Sequence, residues 1–357
     1  MNKVAKGQHS LFDDAPTKAP PHRERLISAR QRDLLDMAAA IELEDAREAG
    51  TIGYAARLWA QLSLPYREPS ADTRAWTRRN GSLTLRVIPG MAGPKGLEIP
   101  RYPFGVLPRY ILTWMSTEAV RTQSPELQLG NSLSDFMSQL GISPTGGKNG
   151  SIARLTDQMR RLLSSSMSVE DTRSEDNRWS IAGGHFAVAS RYQLWFDGRD
   201  TAGEHAMWGS KITLSDAFYQ SIIAAPVPID TRALSALAGS ALKIDLLVWL
   251  CHRLGYLRST QVVPWELLAA QFGSDYARLR DFKSALTTQL REVLAVYPGA
   301  NVQVLDNGIL LQPSKTAIPR RPKAAGSAGP AGGAQSVPVA MPATVRRSPK
   351  SRRASGA

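Results

Sequence analysis

The 357-residue chain contains one cysteine and five histidines, which limits the chemistry available to it. A single cysteine excludes an intramolecular disulfide framework and a zinc site built on cysteine thiolates. The histidines form neither the His-x-His pair of metal-dependent rolling-circle nucleases nor the His-Glu-x-x-His helix of zinc proteases. We therefore expect no metal and no cofactor.

Two further catalytic patterns are absent. Residues 145–151 (Thr-Gly-Gly-Lys-Asn-Gly-Ser) lack the upstream glycine of a phosphate-binding P-loop, and Lys148 is followed by Asn149. Cys251 and His252 are neighbours in an apolar helical stretch, where successive side chains point about 100° apart, so they form no nucleophile–base pair. These absences favour a binding protein, with a nuclease or a primase as the enzymatic alternative.

Long apolar runs are also missing. The longest, such as residues 244–251, are too short to cross a bilayer. Residues 1–16 contain no apolar secretory segment. We expect a cytoplasmic protein without membrane contact.

The net charge of +13 is concentrated at one end of the chain. Nine of the 44 basic residues and none of the 31 acidic residues follow residue 314, so the first 314 residues carry a net charge of only +4. The last 43 residues are rich in Pro, Gly and Ala, and we expect a disordered basic tail that attracts phosphates non-specifically. Any specific nucleic-acid site in the folded part must therefore come from local clusters of basic residues.

Residues 130–165 have the pattern of a short helix, a Gly-rich turn and a longer helix. Ser132 and Asp135 resemble a capping arrangement for the first helix, and Gly141 is suited to end it. The apolar residues after Gly150 recur at helical spacing and predict one buried face: Ile152, Leu155, Met159 and Leu162.

Basic residues lie on the opposite side of the longer predicted helix. A helical wheel places Arg154 and Arg161 outward and Arg160 at the edge, as in a helix-turn-helix whose second helix enters the major groove. The residues placed to hold a phosphate at the positive N-terminus of the helix are Lys148, Asn149 and Ser151. The alternative is an ordinary solvated amphipathic helix.

The second half of the chain repeats this plan. Helical patterns at residues 241–257, 265–272 and 276–297 precede a hairpin whose turn lies at residues 306–308. Within the last helix, residues 276–293 form the predicted recognition part. Its outward and flanking polar residues are Arg278, Arg280, Lys283, Ser284 and Arg291.

A short sequence pattern that occurs in both halves supports two duplicated structural units. Gln139-Leu-Gly precedes Arg154-Leu-Thr-Asp, and Gln271-Phe-Gly precedes Arg278-Leu-Arg-Asp, at equivalent places in the two halves. We therefore predict an α+β fold with two tandem winged-helix domains. The predicted segments are a disordered N-terminal segment at residues 1–25, a helix at 26–50, winged-helix domains at 51–205 and 206–314, and a disordered basic tail at 315–357.

A peptide near the N-terminus resembles the motif with which bacterial proteins dock on the DNA polymerase sliding clamp. It contains Gln8, Ser10, Leu11 and Phe12, which supply two adjacent apolar side chains and a glutamine that would fix their register. Because five-residue matches also arise by chance, clamp binding stays a hypothesis.

Several short blocks across residues 60–314 together carry a family resemblance. They are Leu-Pro-Tyr-Arg-Glu-Pro at 64–69, Trp-Thr-Arg-Arg-Asn-Gly at 76–81, Thr-Glu-Ala-Val-Arg-Thr at 117–122, Leu-Gly-Asn-Ser-Leu-Ser at 129–134, Pro-Val-Pro-Ile-Asp at 226–230, and Gln-Phe-Gly at 271–273 followed by Arg-Asp-Phe-Lys at 280–283. These blocks resemble the plasmid-encoded RepA replication-initiator family.

The resemblance implies tandem winged helices that bind double-stranded DNA at repeated origin sites, called iterons. Such proteins then open an adjacent AT-rich region and recruit the host initiator, replicative helicase and sliding clamp. A monomer–dimer equilibrium is compatible with this role. The leading hypothesis is a plasmid replication initiator, and the alternative is a winged-helix transcriptional regulator without initiator activity.

Overall fold

The computed structural model describes residues 28–93, 98–130, 132–175, 178–194, 210–273 and 276–319. Within these ranges, helices alternate with small antiparallel sheets, which confirms the α+β class. The predictions for residues 1–25, including the clamp peptide, and for residues 320–357 lie outside them. None of the helices in the described ranges combines the length and the apolar character needed to cross a membrane.

The first half of the chain begins with a capped helix and a group of short strands. The Ser28 hydroxyl accepts a hydrogen bond from the Gln31 N–H and caps the helix. The elements are α1 (Ala29–Leu43), β1 (Ile52–Ala56), α2 (Arg57–Gln61), β2 (Trp76–Asn80), β3 (Leu83–Ile88), β4 (Gly90–Ala92) and β5 (Ile99–Arg101). The helix predicted at 26–50 ends earlier, because the Asp45 carboxylate accepts a hydrogen bond from the Arg47 N–H and forms a turn.

The next elements contain the 130–165 segment. They are α3 (Val106–Thr122), β6 (Glu126–Gln128), α4 (Leu133–Gln139), α5 (Ser151–Ser164), β7 (Ser166–Glu175), β8 (Arg178–Ala187), β9 (Ala189–Gln193) and β10 (Lys211–Leu214). The Ser132 hydroxyl accepts from the Asp135 N–H at 3.0 Å, which confirms the predicted cap. Gly141 follows α4 with a φ of +67°, the left-handed conformation that glycine favours at a helix end. The strands form two antiparallel sheets with the orders β2-β3-β7-β8 and β6-β10-β9.

The second half is built from five helices and a small sheet. Its elements are α6 (Asp216–Ala224), β11 (Pro226–Asp230), α7 (Thr231–Ala236), α8 (Ala241–Tyr256), β12 (Gln261–Pro264), α9 (Trp265–Phe272), α10 (Leu279–Ala295), β13 (Val302–Leu305) and β14 (Gly308–Leu311). The last three strands form an antiparallel sheet of order β12-β14-β13. Helix α10 begins three residues later than predicted, because Arg278 is extended and stands at its N-cap.

Three strand pairings cross the boundary predicted at residues 205–206. Strand β10 lies between β6 and β9, so it belongs to a sheet of the first half. Strand β1 pairs antiparallel with β11 of the second half. A continuous cluster of buried apolar side chains also runs through both halves. The two halves therefore pack against each other through a shared core.

A buried ion pair connects the two halves. Arg109 of α3 donates from Nε and Nη2 to the two carboxylate oxygens of Asp245 of α8, each at 2.7 Å. The remaining guanidinium hydrogens reach the carbonyl oxygens of Leu64 and Gly105 at 2.8 and 2.6 Å. Because both charges are buried and hydrogen-bonded on several sides, this pair fixes how α3 lies against α8.

The folded part of the chain extends past residue 314, where the sequence predicted the start of a disordered tail. The Tyr297 hydroxyl donates to the Lys315 carbonyl at 2.9 Å, and Ile318 is buried. Arg47 donates to the Pro319 carbonyl at 2.9 Å. These contacts hold residues 315–319 against the second half and the segment after α1.

Candidate nucleic-acid interface

Helix α10 presents one apolar side to the core and one polar side to solvent. Phe282, Leu286, Leu290 and Val293 are buried, as the helical spacing predicted. On the other side, the predicted outward residues Arg280, Ser284 and Arg291 are exposed, and so is Arg278 at the N-cap, which was predicted to lie on the flank. This helix therefore offers an open basic surface.

A groove runs between α10 and the turn of the β13–β14 hairpin. It has a volume of about 480 Å³ and is lined by Trp265, Lys283, Ser284, Thr287, Thr288, Arg291, Val304, Leu305 and Asp306. Thr287 and Thr288 were not predicted as site residues. Their spacing of three and four residues from Ser284 was the signal that places them on the same side of the helix.

Lys283 connects α10 to this hairpin instead of pointing freely outward. Its Nζ donates to the Asp306 carbonyl at 3.4 Å and lies 5.5 Å from the centre of the Trp265 ring. The ammonium group thus holds the turn beside the helix, which fixes the width of the groove.

Helix α5 begins directly after Gly150, as predicted, and its predicted apolar face packs in the core. Leu155, Met159 and Leu162 are fully buried. In the turn before the helix, Lys148 and Asn149 are exposed, and so is Arg154 in the first turn of the helix. These three residues remain available to a ligand.

Ser151 does not have the free side chain expected of a phosphate ligand. Its hydroxyl donates to the Ser143 carbonyl at 2.7 Å and accepts from the Thr145 N–H at 2.8 Å. The residue is buried because the Gly-rich turn folds back over the helix start. Ser151 therefore shapes this turn, and the expectation that it is open to a phosphate is corrected.

The prediction that Arg161 faces outward is wrong. Its side chain is only 2% exposed, and its guanidinium pairs with Glu68 at 2.7 Å and Asp157 at 2.8 Å. The guanidinium also lies 5.2 Å from the centre of the Phe104 ring. Burial raises the pKa of Glu68, but the hydrogen bond from Arg101 and the charge of Arg161 outweigh it, so this pKa lies below its ordinary value.

Strand β4 packs against the end of α5 and explains this burial. A Cβ on Gly90 would lie 2.1 Å from the Ser164 carbonyl oxygen, so only glycine permits this approach. Arg160 is half-buried and donates to the Gly93 carbonyl at 2.6 Å. The β4–β5 hairpin and the segment around Glu68 thus cover the polar side of α5 beyond its first turn.

Cys251 and His252 lie on α8, where Cys251 is buried and His252 is half-buried. Burial, followed by the charge of Asp230, raises the pKa of the Cys251 thiol to about 12. Burial, followed by the charges of Arg57 and Arg253, lowers the pKa of His252 to about 4. Both groups are therefore neutral at pH 7. In the described ranges, no three side chains of His, Cys, Asp or Glu are grouped as metal ligands.

An α+β chain that holds an exposed basic helix beside a β-hairpin has the architecture of a candidate DNA-binding protein. Residues 102–267 match the family model described as plasmid-encoded RepA protein. This match confirms the family resemblance of the sequence. It extends from the end of β5 to the start of α9 and stops before α10.

Two crystal structures of domains 2 and 3 of RctB are similar to the chain. One, of selenomethionine derivatives, has a TM-score of 0.44 and 13% identity, and the similarity covers 72% of this chain and 98% of that one. The other, RctB-155-483, has a TM-score of 0.41 and 12% identity, with 72% and 94% covered. No curated protein matches the sequence.

Proposed function

We propose that this protein is a plasmid replication initiator that binds repeated sites in the plasmid origin through two winged-helix units. The match of residues 102–267 to the model of plasmid-encoded RepA protein supports the role in replication. The observation that carries DNA binding is the exposed polar side of α10, where Arg280 faces solvent and Ser284 and Arg291 line the groove beside the β13–β14 hairpin. A helix of this kind with a flanking hairpin suits the major groove of duplex DNA.

The order of elements supports the second winged-helix unit. Strand β12 lies between α8 and α9 in the chain, and the β13–β14 hairpin follows α10. The three strands form one antiparallel sheet. This is the arrangement in which the last helix enters the groove and the hairpin lies against the DNA backbone. We assign residues 226–319 to this unit.

The first unit has a similar order with additional strands. Helices α3, α4 and α5 are followed by the long β7–β8 hairpin, and β6 stands between α3 and α4. The pairing of β10 with β6 and β9 supports a boundary after β10 instead of residue 205. In this unit the start of α5 would contact phosphates through Lys148, Asn149 and Arg154, because a helix N-terminus attracts anions.

The steps that follow binding are part of the same proposal. The bound initiator promotes opening of an adjacent AT-rich region and recruits host replication proteins, including the sliding clamp through Gln8–Phe12. For the clamp, Leu11→Ala combined with Phe12→Ala should abolish co-purification with purified clamp while origin binding persists. Clamp binding that survives both substitutions would remove this peptide from the proposal.

The test of DNA binding is a footprint on the DNA that flanks the gene, with purified full-length protein. We expect protection of directly repeated sites of about two helical turns, roughly 20 bp, beside an AT-rich stretch. The Arg280→Ala/Arg291→Ala variant should lose this protection, whereas Arg86→Ala, an exposed arginine on β3, should retain it.

A test in cells uses a plasmid that carries the protected region. This plasmid depends on the protein supplied from a second plasmid. Replication with the wild type and its loss with the α10 double variant would support an initiator. Protection of a palindrome at the gene's own promoter, without plasmid maintenance, would favour a dimeric transcriptional regulator instead.

A further inference from the structure

Helix α10 carries its charged and its neutral polar residues in separate places. We propose that Arg280 and Arg291, at the two ends of its exposed side, bind phosphates of opposite DNA strands. In this assignment Ser284, Thr287 and Thr288, between them, contact base edges and set the sequence preference. This inference rests on the proposed DNA-binding function and assigns a separate task to each residue.

The helix geometry places these five residues on one stripe. At 3.6 residues per turn, positions 280, 284, 287, 288 and 291 fall within about a third of the helix circumference. Arg280 and Arg291 are separated by about 16 Å along the axis, at 1.5 Å per residue. The major groove of B-DNA is about 12 Å wide, so when the stripe faces the groove and the helix axis crosses its width, the two ends of the stripe lie beside the flanking phosphate strands.

The charges are confined to the ends of the stripe. The Arg280 side chain is 81% exposed, and its ion pair in the described ranges is a 3.5 Å contact with Asp281. Arg291 is exposed and lies at the end of the groove beside the hairpin. Such weakly held guanidinium groups are free to exchange their hydration for phosphate oxygens.

The middle of the stripe carries hydroxyl groups instead of charges. In the described ranges no hydrogen bond uses the hydroxyls of Ser284 or Thr287, so both can donate to or accept from a base edge. The Thr288 hydroxyl donates to the Ser284 carbonyl at 3.0 Å. This bond leaves the methyl group of Thr288 as its contact surface, and a threonine methyl suits the 5-methyl group of thymine.

Lys283 has a different task in this arrangement. Its ammonium group is engaged with the Asp306 carbonyl and the Trp265 ring, so it holds the hairpin turn against α10. We therefore treat Lys283 as a positioning residue and exclude it from the phosphate contacts counted below.

The experiment measures the affinity of the full-length protein for two duplexes over a series of salt concentrations. One duplex contains a footprinted site, and the other has a random sequence of equal length. Arg280→Ala and Arg291→Ala should each weaken binding to both duplexes and reduce the slope of log affinity against log salt by about one. Arg86→Ala, which removes the same charge from the outer face of the β2-β3-β7-β8 sheet, should change neither slope.

The hydroxyl variants should give the opposite pattern. Ser284→Ala and Thr287→Ala should each lower affinity for the footprinted site by about five- to tenfold, the effect of one neutral hydrogen bond, with an unchanged salt slope and unchanged binding to the random duplex. Thr288→Ser keeps the hydroxyl but removes the methyl group, so selection from randomised sites should lose a preference for thymine at one position. Alanine favours helices, and matching thermal melts would show that each variant is folded.

Three outcomes separate this inference from the function on which it rests. A wild type that does not distinguish the two duplexes would overturn the proposed function and this inference together. A wild type that does distinguish them, with Arg280→Ala altering base preference at an unchanged salt slope, would overturn the assignment of that arginine to a phosphate. Hydroxyl variants that select the wild-type sequence with wild-type affinity would overturn the assignment of the middle residues.

Discussion

Helices α5 and α10 follow shorter helices and precede β-hairpins in the two halves, but their polar sides have different surroundings. On α5, Arg161 pairs with Asp157 and with Glu68 and lies under a cover that includes β4 and β5. On α10, Arg280 and Arg291 face solvent. An arginine opposite the apolar stripe of a helix therefore indicates a binding surface only where no distant part of the chain packs over it.

The same comparison separates two uses of basic side chains. The buried guanidinium of Arg161 connects the end of α5 to residues that are far away in sequence. The exposed guanidinium of Arg291 connects to no acidic side chain in the described ranges and remains available to a ligand. Changes in the first helix should therefore appear mainly as lost stability, and changes in the second mainly as lost DNA binding.

The largest expected effect on stability is that of Arg161→Ala. It removes a buried cation that pairs with Glu68 and Asp157, leaves Arg101 as their remaining partner, and opens space under the Phe104 ring. The free energy of unfolding should therefore fall by about 3 kcal/mol. Urea denaturation measures this change. Arg291→Ala is the matched variant on α10 and should stay within about 0.5 kcal/mol of the wild type. Equal and small changes for both would contradict the difference between the two helices.

Asp157 and Asp281, which end the Arg-Leu-x-Asp pattern in the two halves, provide a second comparison. Asp157→Asn weakens the contact with Arg161 and should lower the free energy of unfolding by about 1 kcal/mol, since the carboxylate is partly exposed. Asp281→Asn removes an exposed negative charge from the polar side of α10, so DNA affinity should rise by about threefold at low salt with stability unchanged.

The salt concentration provides the control for Asp281→Asn. The gain from Asp281→Asn should shrink as the salt concentration rises, because exposed charges are screened. A gain that persists at high salt would assign the effect to something other than charge repulsion. Weaker binding by Asp281→Asn would mean that this carboxylate accepts a hydrogen bond from the DNA.

A smaller effect on stability is expected when the pH changes the charge of Glu68, which lies over α5. The pKa of Glu68 in the folded protein lies below its ordinary value of 4.5. Its contribution to stability is therefore fully present well above pH 4.5 and is lost as the pH falls through the lowered folded pKa. The stability difference between the wild type and Glu68→Gln, measured by urea denaturation, should be largest near pH 6 and should diminish towards pH 3. A difference independent of pH would show that the charge of Glu68 does not contribute.

Local patterns in the sequence predicted much of the fold. The periodic apolar residues predicted α5 within its observed bounds, and Ser132 and Gly141 marked the ends of α4. The inward residues of α10 were also predicted, because a 3.6-residue period is a property of the helix itself. Family blocks spread through the chain indicated the RepA family, which the family match confirms.

The cover over α5 was not predictable from the same patterns. Strands β4 and β5 have three residues each and lie in a segment rich in Gly and Pro, so they show no alternation of apolar and polar residues. The burial of Arg161 depends on Glu68, 93 residues earlier in the chain. Ser284 was predicted from its outward position on the helix, whereas Thr287 and Thr288, which line the same groove, were not included.

We propose that α10 is the principal DNA-contacting helix and that α5 contributes only its exposed start. The most direct test compares two double variants of the full-length protein, Arg280→Ala/Arg291→Ala and Lys148→Ala/Arg154→Ala, in gel shifts on the footprinted duplex. Each pair removes two charges, but we expect the α10 pair to lower affinity by about 100-fold or more and the α5 pair by less than about tenfold. A larger loss from the α5 pair would contradict the assignment of α10 as the principal DNA-contacting helix.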